Sequence, residues 1–172
     1  MPWLIILQSL YFFLPAYIAN MAPVLFKWLP ILNRPVWEKG LGTNKTWRGL
    51  VAATLVGGLV FSLQKLFHNT GFVQLSLINY SDFSVLLGFL LGFGAIAGDA
   101  VKSYYKRKIG IAPGKPWMPF DQLDFVIGGL AVSFFFYVPP VSIIIVLLLF
   151  SPFLHIIVNH FGYWLKINKS RF

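Results

Sequence analysis

Gly98–Phe125 reads GDAVKSYYKRKIGIAPGKPWMPFDQLDF and joins two membrane-length apolar stretches. Three of the chain's five acidic residues, Asp99, Asp121 and Asp124, flank the basic run in this segment. An ionised carboxylate near lipid costs about 2.5 kcal/mol or more, so an apolar chain avoids them. Three of them beside a run of Lys and Arg point to a metal-and-phosphate site at a membrane surface.

Of the 172 residues, 58% are hydrophobic and 11% charged. Soluble domains carry about 25% charged residues, so the composition predicts a membrane protein. Its length suits a single transmembrane domain, residues 1–172, without a separate soluble catalytic module. The net charge of +9 reads as the Lys and Arg that membrane proteins gather in cytoplasmic loops, so no nucleic-acid partner is expected. Absence of cysteine excludes disulfides, thiolate catalysis and Cys-ligated zinc. MPWLIILQSL lacks a basic n-region and a small-residue cleavage site, so it reads as a retained first helix.

A span needs about 20 apolar residues, and charges and prolines mark out five. The first is Pro2–Phe26, bent or broken by Pro15 and Pro23. The second, Gly49–Gln64, lies between Arg48 and Lys65, whose side chains can snorkel. The third is Phe83–Gly98, with Asp99 at its end. Phe125–Leu165 is too long for one span, and Pro139-Pro140 divides it because proline cannot donate the helical hydrogen bond. Ser151-Pro152 predicts a kink in the fifth. The expected fold is therefore all-α: an integral, multi-pass bundle of about five transmembrane helices.

With five spans, thirteen of the fourteen Lys and Arg fall on one side and only Lys65 opposite. The positive-inside rule then predicts an outside N-terminus, a cytoplasmic C-terminus and cytoplasmic loops at 27–48 and 99–124 forming the active site in a cell (inner) membrane. Gly88/Gly92 and Gly94/Gly98 are spaced small-xxx-small, which lets helices pack closely in lipid. A homodimer is a further expectation.

Asp121 and Asp124 stand i, i+3 and share a helix face. Asp121 alone would read as a helix N-cap, but three carboxylates converging on one loop favour a divalent cation. Mg²⁺ suits this set, because it binds one or two carboxylates plus phosphates and waters. Ser103, Lys106 and Arg107 follow Asp99 at offsets that keep them near its face on a continuing helix. Lys108 reads as a stop-transfer charge, and Lys115 sits in an ordered Pro/Gly loop that is not a Walker A motif. Lys45 and Arg48 open the second span as phosphate clamps or as topogenic charge. Asn20 is a polar residue of the first helix that can touch a neighbouring helix or substrate. His155 and Asn159 share a face, and together with His160 read as interhelical hydrogen-bonding or interface residues.

At these residues the chain resembles a known family. Gly98-Asp99 through Ser103 to Lys106-Arg107, followed by PFDQLDF, is similar to the signature of the CDP-archaeol synthases, relatives of the phosphatidate cytidylyltransferases. Tyr17–Pro23 (YIANMAP) and Lys45–Gly49 (KTWRG) are similar as well, while Ala100 stands where a larger apolar residue is expected. The resemblance implies that CTP and a lipid glycerol phosphate give a CDP-activated lipid, of ether isoprenoid or acyl type, and pyrophosphate. It also implies Mg²⁺ held by Asp99 and Asp121 with Asp124 as ligand or partner, Lys106 among the catalytic residues, and Lys45, Arg48, Lys106 and Arg107 on phosphates. Asn20, Ser103 and Lys115 complete the expected substrate-binding set. The alternative is a small membrane transporter or channel with a metal-stabilised cytoplasmic loop. Coupling sites of transporters, however, lie near the midplane in broken helices.

Overall fold

The computed structural model describes residues 2–113 and 115–164. Pro15 divides the first apolar segment into α1 (Pro2–Phe12) and α2 (Leu14–Leu25), bent by 49° at Phe13. Its ring excludes the carbonyl four residues back and it has no N–H to donate. That carbonyl belongs to Tyr11, and it accepts instead from Gln64 Nε2 on a neighbouring helix. A freed backbone acceptor in an apolar bundle is thus satisfied by a side chain.

The connection to the next helix carries one short helix, α3 (Glu38–Leu41), and an isolated antiparallel bridge between Pro35 and Thr46. α4 (Trp47–Asn69) then opens with Thr46 as its N-cap, whose Oγ1 accepts from Gly49 N at 3.2 Å. At the far end of α4, a loop with a 3₁₀ turn (Tyr80–Asp82) leads back into α5 (Leu86–Lys108). His68 holds that loop through Ser76 Oγ and Asn79 Oδ1, each at 2.9 Å. Lys65 Nζ donates to the Phe83 carbonyl at 2.8 Å. Backbone carbonyls therefore solvate the Lys65 ammonium.

α5 continues well past Asp99, which corrects the expectation that this residue ends the third helix. The 99–124 segment is a helical extension to Lys108, a loop, and the first turn of α6 (Phe120–Ser133). Val101-Lys102-Ser103-Tyr104 contains no helix breaker, and the charges are paired, so the helix runs on until Gly110 (φ 79°) and Pro113. The last helix, α7 (Val141–Trp164), carries Pro152 within a continuous run. Leu165 and the basic tail residues Lys166, Lys169 and Arg171 lie outside the described residues.

Three helices (α4, α5 and α7) are long and apolar enough to cross a membrane, or four if α1 and α2 form one bent span. α6 has 14 residues, about 21 Å at 1.5 Å per residue, against a hydrocarbon core of about 30 Å. It is the shortest rod of the predicted five.

Glycine brings the central helices into backbone contact. A Cβ on Gly57 would lie 2.5 Å from the Gly88 carbonyl, and one on Gly92 2.5 Å from that of Ala53. Across the other interface, a Cβ on Gly98 would lie 2.1 Å from the Asp124 carbonyl. α5 is consequently clamped between α4 and α6. The core beside it holds Phe12, Phe13, Phe61, Leu87, Leu91 and Phe125.

Candidate active site

The Gly98 contact decides where the carboxylates lie. With α5 and α6 backbones touching one residue before Asp99, the acidic residues of both helices are forced into one cluster. Their common neighbour is Lys102. Its Nζ lies 3.0 Å from Asp99 Oδ1, 2.9 Å from Asp121 Oδ1 and 2.6 Å from Asp124 Oδ2. The Asp124 side chain is 5% exposed and that of Lys102 13%.

Two further ammonium groups close the cluster. Lys45 pairs with Asp99 Oδ2, which ties the entrance of α4 to the middle of α5. Lys106 Nζ lies 3.0 Å from Asp121 Oδ1 and donates to the Lys115 carbonyl. Three carboxylates thus face three ammonium ions, so the cluster is balanced in charge. That balance is what makes it tolerable in an apolar bundle, because a buried ion left unpaired costs about 3–5 kcal/mol.

Asp121 also accepts from Trp117 N, and Phe125 N donates to Asp124 Oδ1 at 2.6 Å. Asp121 is therefore no N-cap: Pro119 occupies that position, and the carboxylate anchors the preceding loop instead. Lys106, 8% exposed, fastens the same loop from the other side. Ser103 Oγ donates to the Asp99 carbonyl at 2.8 Å, four residues back in its own helix. It is buried, and its hydroxyl proton is taken up within its own helix. Lys115 contributes its carbonyl here and leaves its side chain exposed. Asn20 is half-buried on α2.

The two expected arginines differ from the lysines. Arg48 Nη1 donates to the Leu29 carbonyl, holding the first loop, while its Nε is buried without a partner. Arg107 keeps both Nε and Nη1 buried and without a partner. Buried donors without partners are uncommon, and a guanidinium fork is shaped to meet a phosphate or carboxylate.

Two residues lacked a distinct signal in the sequence. Lys102 looked like one more loop charge; its position three residues after Asp99 on one helix face was the available clue. His155 looked remote from the loop. In the fold its ring stacks on Phe125 (5.9 Å, 26°), the residue next to Asp124. It lines a small recess of about 30 Å³ together with Pro116, Met118, Asp121 and Gln122. Asn159 Nδ2 lies 3.3 Å from its Nδ1, one turn along the same helix.

The carboxylate set consists of hard oxygen donors, the kind magnesium takes. The Lys102 ammonium shows that the three side chains converge on one cation-sized point. Held at ammonium distances, they do not form a metal-ligand cluster among the described residues. Their chemistry and convergence fit a divalent ion; their present spacing is that of an ammonium.

A protein-family model described as "CarS-like: CDP-archaeol synthase" matches residues 3–172. The CDP-archaeol synthase of Thermococcus kodakarensis is 39% identical over 168 residues, covering 95% of both chains. That of Thermococcus onnurineus is 38% identical with 92% of both covered, and that of Methanocaldococcus jannaschii 36% with 95% of both covered. A solved structure of an intramembrane enzyme for archaeal membrane lipids biosynthesis superposes with a TM-score of 0.71, at 30% identity, covering 90% of this chain and 94% of that one.

Proposed function

This chain belongs to the CDP-archaeol synthase family, and from that premise we propose how its charged cluster carries the reaction. The enzyme is a CTP-dependent lipid cytidylyltransferase of archaeal membrane lipid biosynthesis. The nucleophile is a phosphate oxygen of a lipid glycerol phosphate. It attacks the α-phosphorus of CTP, the bond to the β-phosphate breaks, and pyrophosphate leaves with the electron pair. An attacking oxygen that is already anionic needs no general base. The protein's work is alignment and charge neutralisation.

One observation carries the assignment: Asp99, Asp121 and Asp124 meet from two helices around one cation, within an otherwise apolar bundle. Since Lys45, Lys102 and Lys106 already balance these carboxylates, the cluster alone offers a triphosphate no net attraction. Asp99 and Asp121 would hold a divalent ion, with Asp124 as a further ligand or orienting partner, and such an ion would supply the missing positive charge and polarise the phosphoryl group. Arg107 meets the phosphates with its two unpartnered nitrogens, and Arg48 adds its free Nε from the first loop. Lys106 keeps the 109–119 loop against Asp121, and Lys45 binds the first loop to Asp99. Asn20 and Lys115 border the substrate. The site faces the cytoplasm, where CTP is made, and the lipid's tails are ether-linked isoprenoids.

The test is purified protein in detergent with CTP, Mg²⁺ and a panel of lipid phosphates, scored by pyrophosphate release. Release is expected with ether-linked isoprenoid glycerol phosphate and to cease with EDTA. Metal-independent release would refute the role given to the carboxylates, and equal rates with diacyl substrate would refute the tail assignment.

A further inference from the structure

Lys102 stands where the divalent ion of the proposed mechanism must act. An ammonium has three donors and no acceptor, and here each donor faces a different carboxylate, at 2.6 to 3.0 Å. Magnesium demands oxygens at about 2.0–2.1 Å in near-octahedral geometry. The same three carboxylates cannot serve both cations at one point. Without either cation they would repel one another and part. A lysine is suited to the holding role because its charge is compact and its four-carbon stem is flexible.

We propose that Lys102 is an exchangeable cation. Its ammonium gathers Asp99, Asp121 and Asp124 in the nucleotide-free enzyme, the divalent ion accompanying CTP displaces it, and the freed charge turns to the nucleotide's phosphates. This inference rests on the magnesium reading above. It explains why a cluster meant for a divalent ion is charge-balanced beforehand. The carboxylates remain assembled, yet they pay no repulsion while waiting. It also makes Lys102 a positioning residue before metal entry and a phosphate contact after it.

A static salt-bridge hub is the competing account, and metal affinity separates the two. Full-length wild type and Lys102→Met are titrated with Mn²⁺ in detergent without nucleotide, reading free Mn²⁺ by electron paramagnetic resonance. Removing a competing unit charge at this range should tighten Mn²⁺ binding by at least about tenfold, even at a high effective dielectric. Turnover should nonetheless stay below wild type at saturating metal. Unchanged or weaker Mn²⁺ binding by Lys102→Met overturns the exchange. If that variant does not fold, Lys102→Arg should bind Mn²⁺ more weakly than wild type, because its bidentate guanidinium holds carboxylates harder; equal or tighter binding overturns it again. Wild type that takes up no Mn²⁺ even with CTP present sinks the magnesium reading, and the exchange with it. Wild type that binds while Lys102→Met fails to tighten sinks the exchange alone.

Discussion

Gly98→Ala adds one methyl group, and it should disable the enzyme without touching a charged residue. The new Cβ would lie 2.1 Å from the Asp124 carbonyl oxygen and 3.0 Å from both Asp124 C and Gly128 Cα. All three are backbone atoms, so no rotamer change relieves the clash. Carbon contacts settle near 3.5 Å, so α5 and α6 must part by about 1 Å at this level. The Lys102 contacts to Asp124 (2.6 Å) and Asp121 (2.9 Å) then stretch beyond hydrogen-bonding range, and Asp99 no longer faces its two partners at one point. A misplacement of about 1 Å costs about 10²-fold in rate, while overpacking costs about 1–3 kcal/mol of stability. The assay is pyrophosphate release at saturating CTP, beside a thermal melt in detergent. Gly58→Ala is the control: the three atoms nearest its Cβ belong to the ring of Phe89, a side chain rather than backbone, so turnover should remain near wild type. Folded Gly98→Ala that turns over at the wild-type rate would refute the claim that helix spacing sets the site.

Asp99→Asn and Asp121→Asn should each abolish detectable pyrophosphate release while the protein still inserts into membranes; near-wild-type rates in either would defeat the ligand assignment. Lys106→Met removes charge-assisted hydrogen bonds worth about 1.5–3 kcal/mol, so hydrogen exchange in the 109–119 loop should quicken, and unchanged protection would show that Lys106 does not hold it. His155→Ala unstacks Phe125 beside the cluster but deletes no ligand, so turnover should stay within about tenfold of wild type; a dead variant would place His155 in the reaction itself. Arg107→Lys keeps the charge and loses the planar fork, and should raise KM for CTP or the lipid phosphate; unchanged constants for both would remove Arg107 from the phosphate site.

The apolar runs were legible because lipid imposes a length and a polarity on any segment that crosses it. Pro15 gave the bend for the same kind of local reason: a missing N–H and a clash one turn back act within a single helix. Asp99, Asp121 and Asp124 stood out because carboxylates are expensive in such a chain. Charge alone predicts that Asp99 ends its helix, whereas α5 runs on to Lys108. Pairing with Lys45 and Lys102 lets the helix carry that charge inward. Gly128 carries no such mark, although a Cβ there would lie 2.2 Å from the Gly94 carbonyl, a contact nearly as close as that of Gly98. A glycine in an apolar run has no side chain to announce what it approaches.

The sequence by itself determined that this is an all-helical membrane protein with three costly carboxylates bordering a basic segment, because burial energy and hydrogen-bond loss are paid residue by residue. Only the tertiary structure decided which cation those carboxylates share, which lysines are tied to them and which arginine nitrogens remain open. Those outcomes depend on the spacing of α5 and α6, fixed by backbone contact at Gly98 and Gly128, and Coulomb energy follows distance in space rather than separation along the chain.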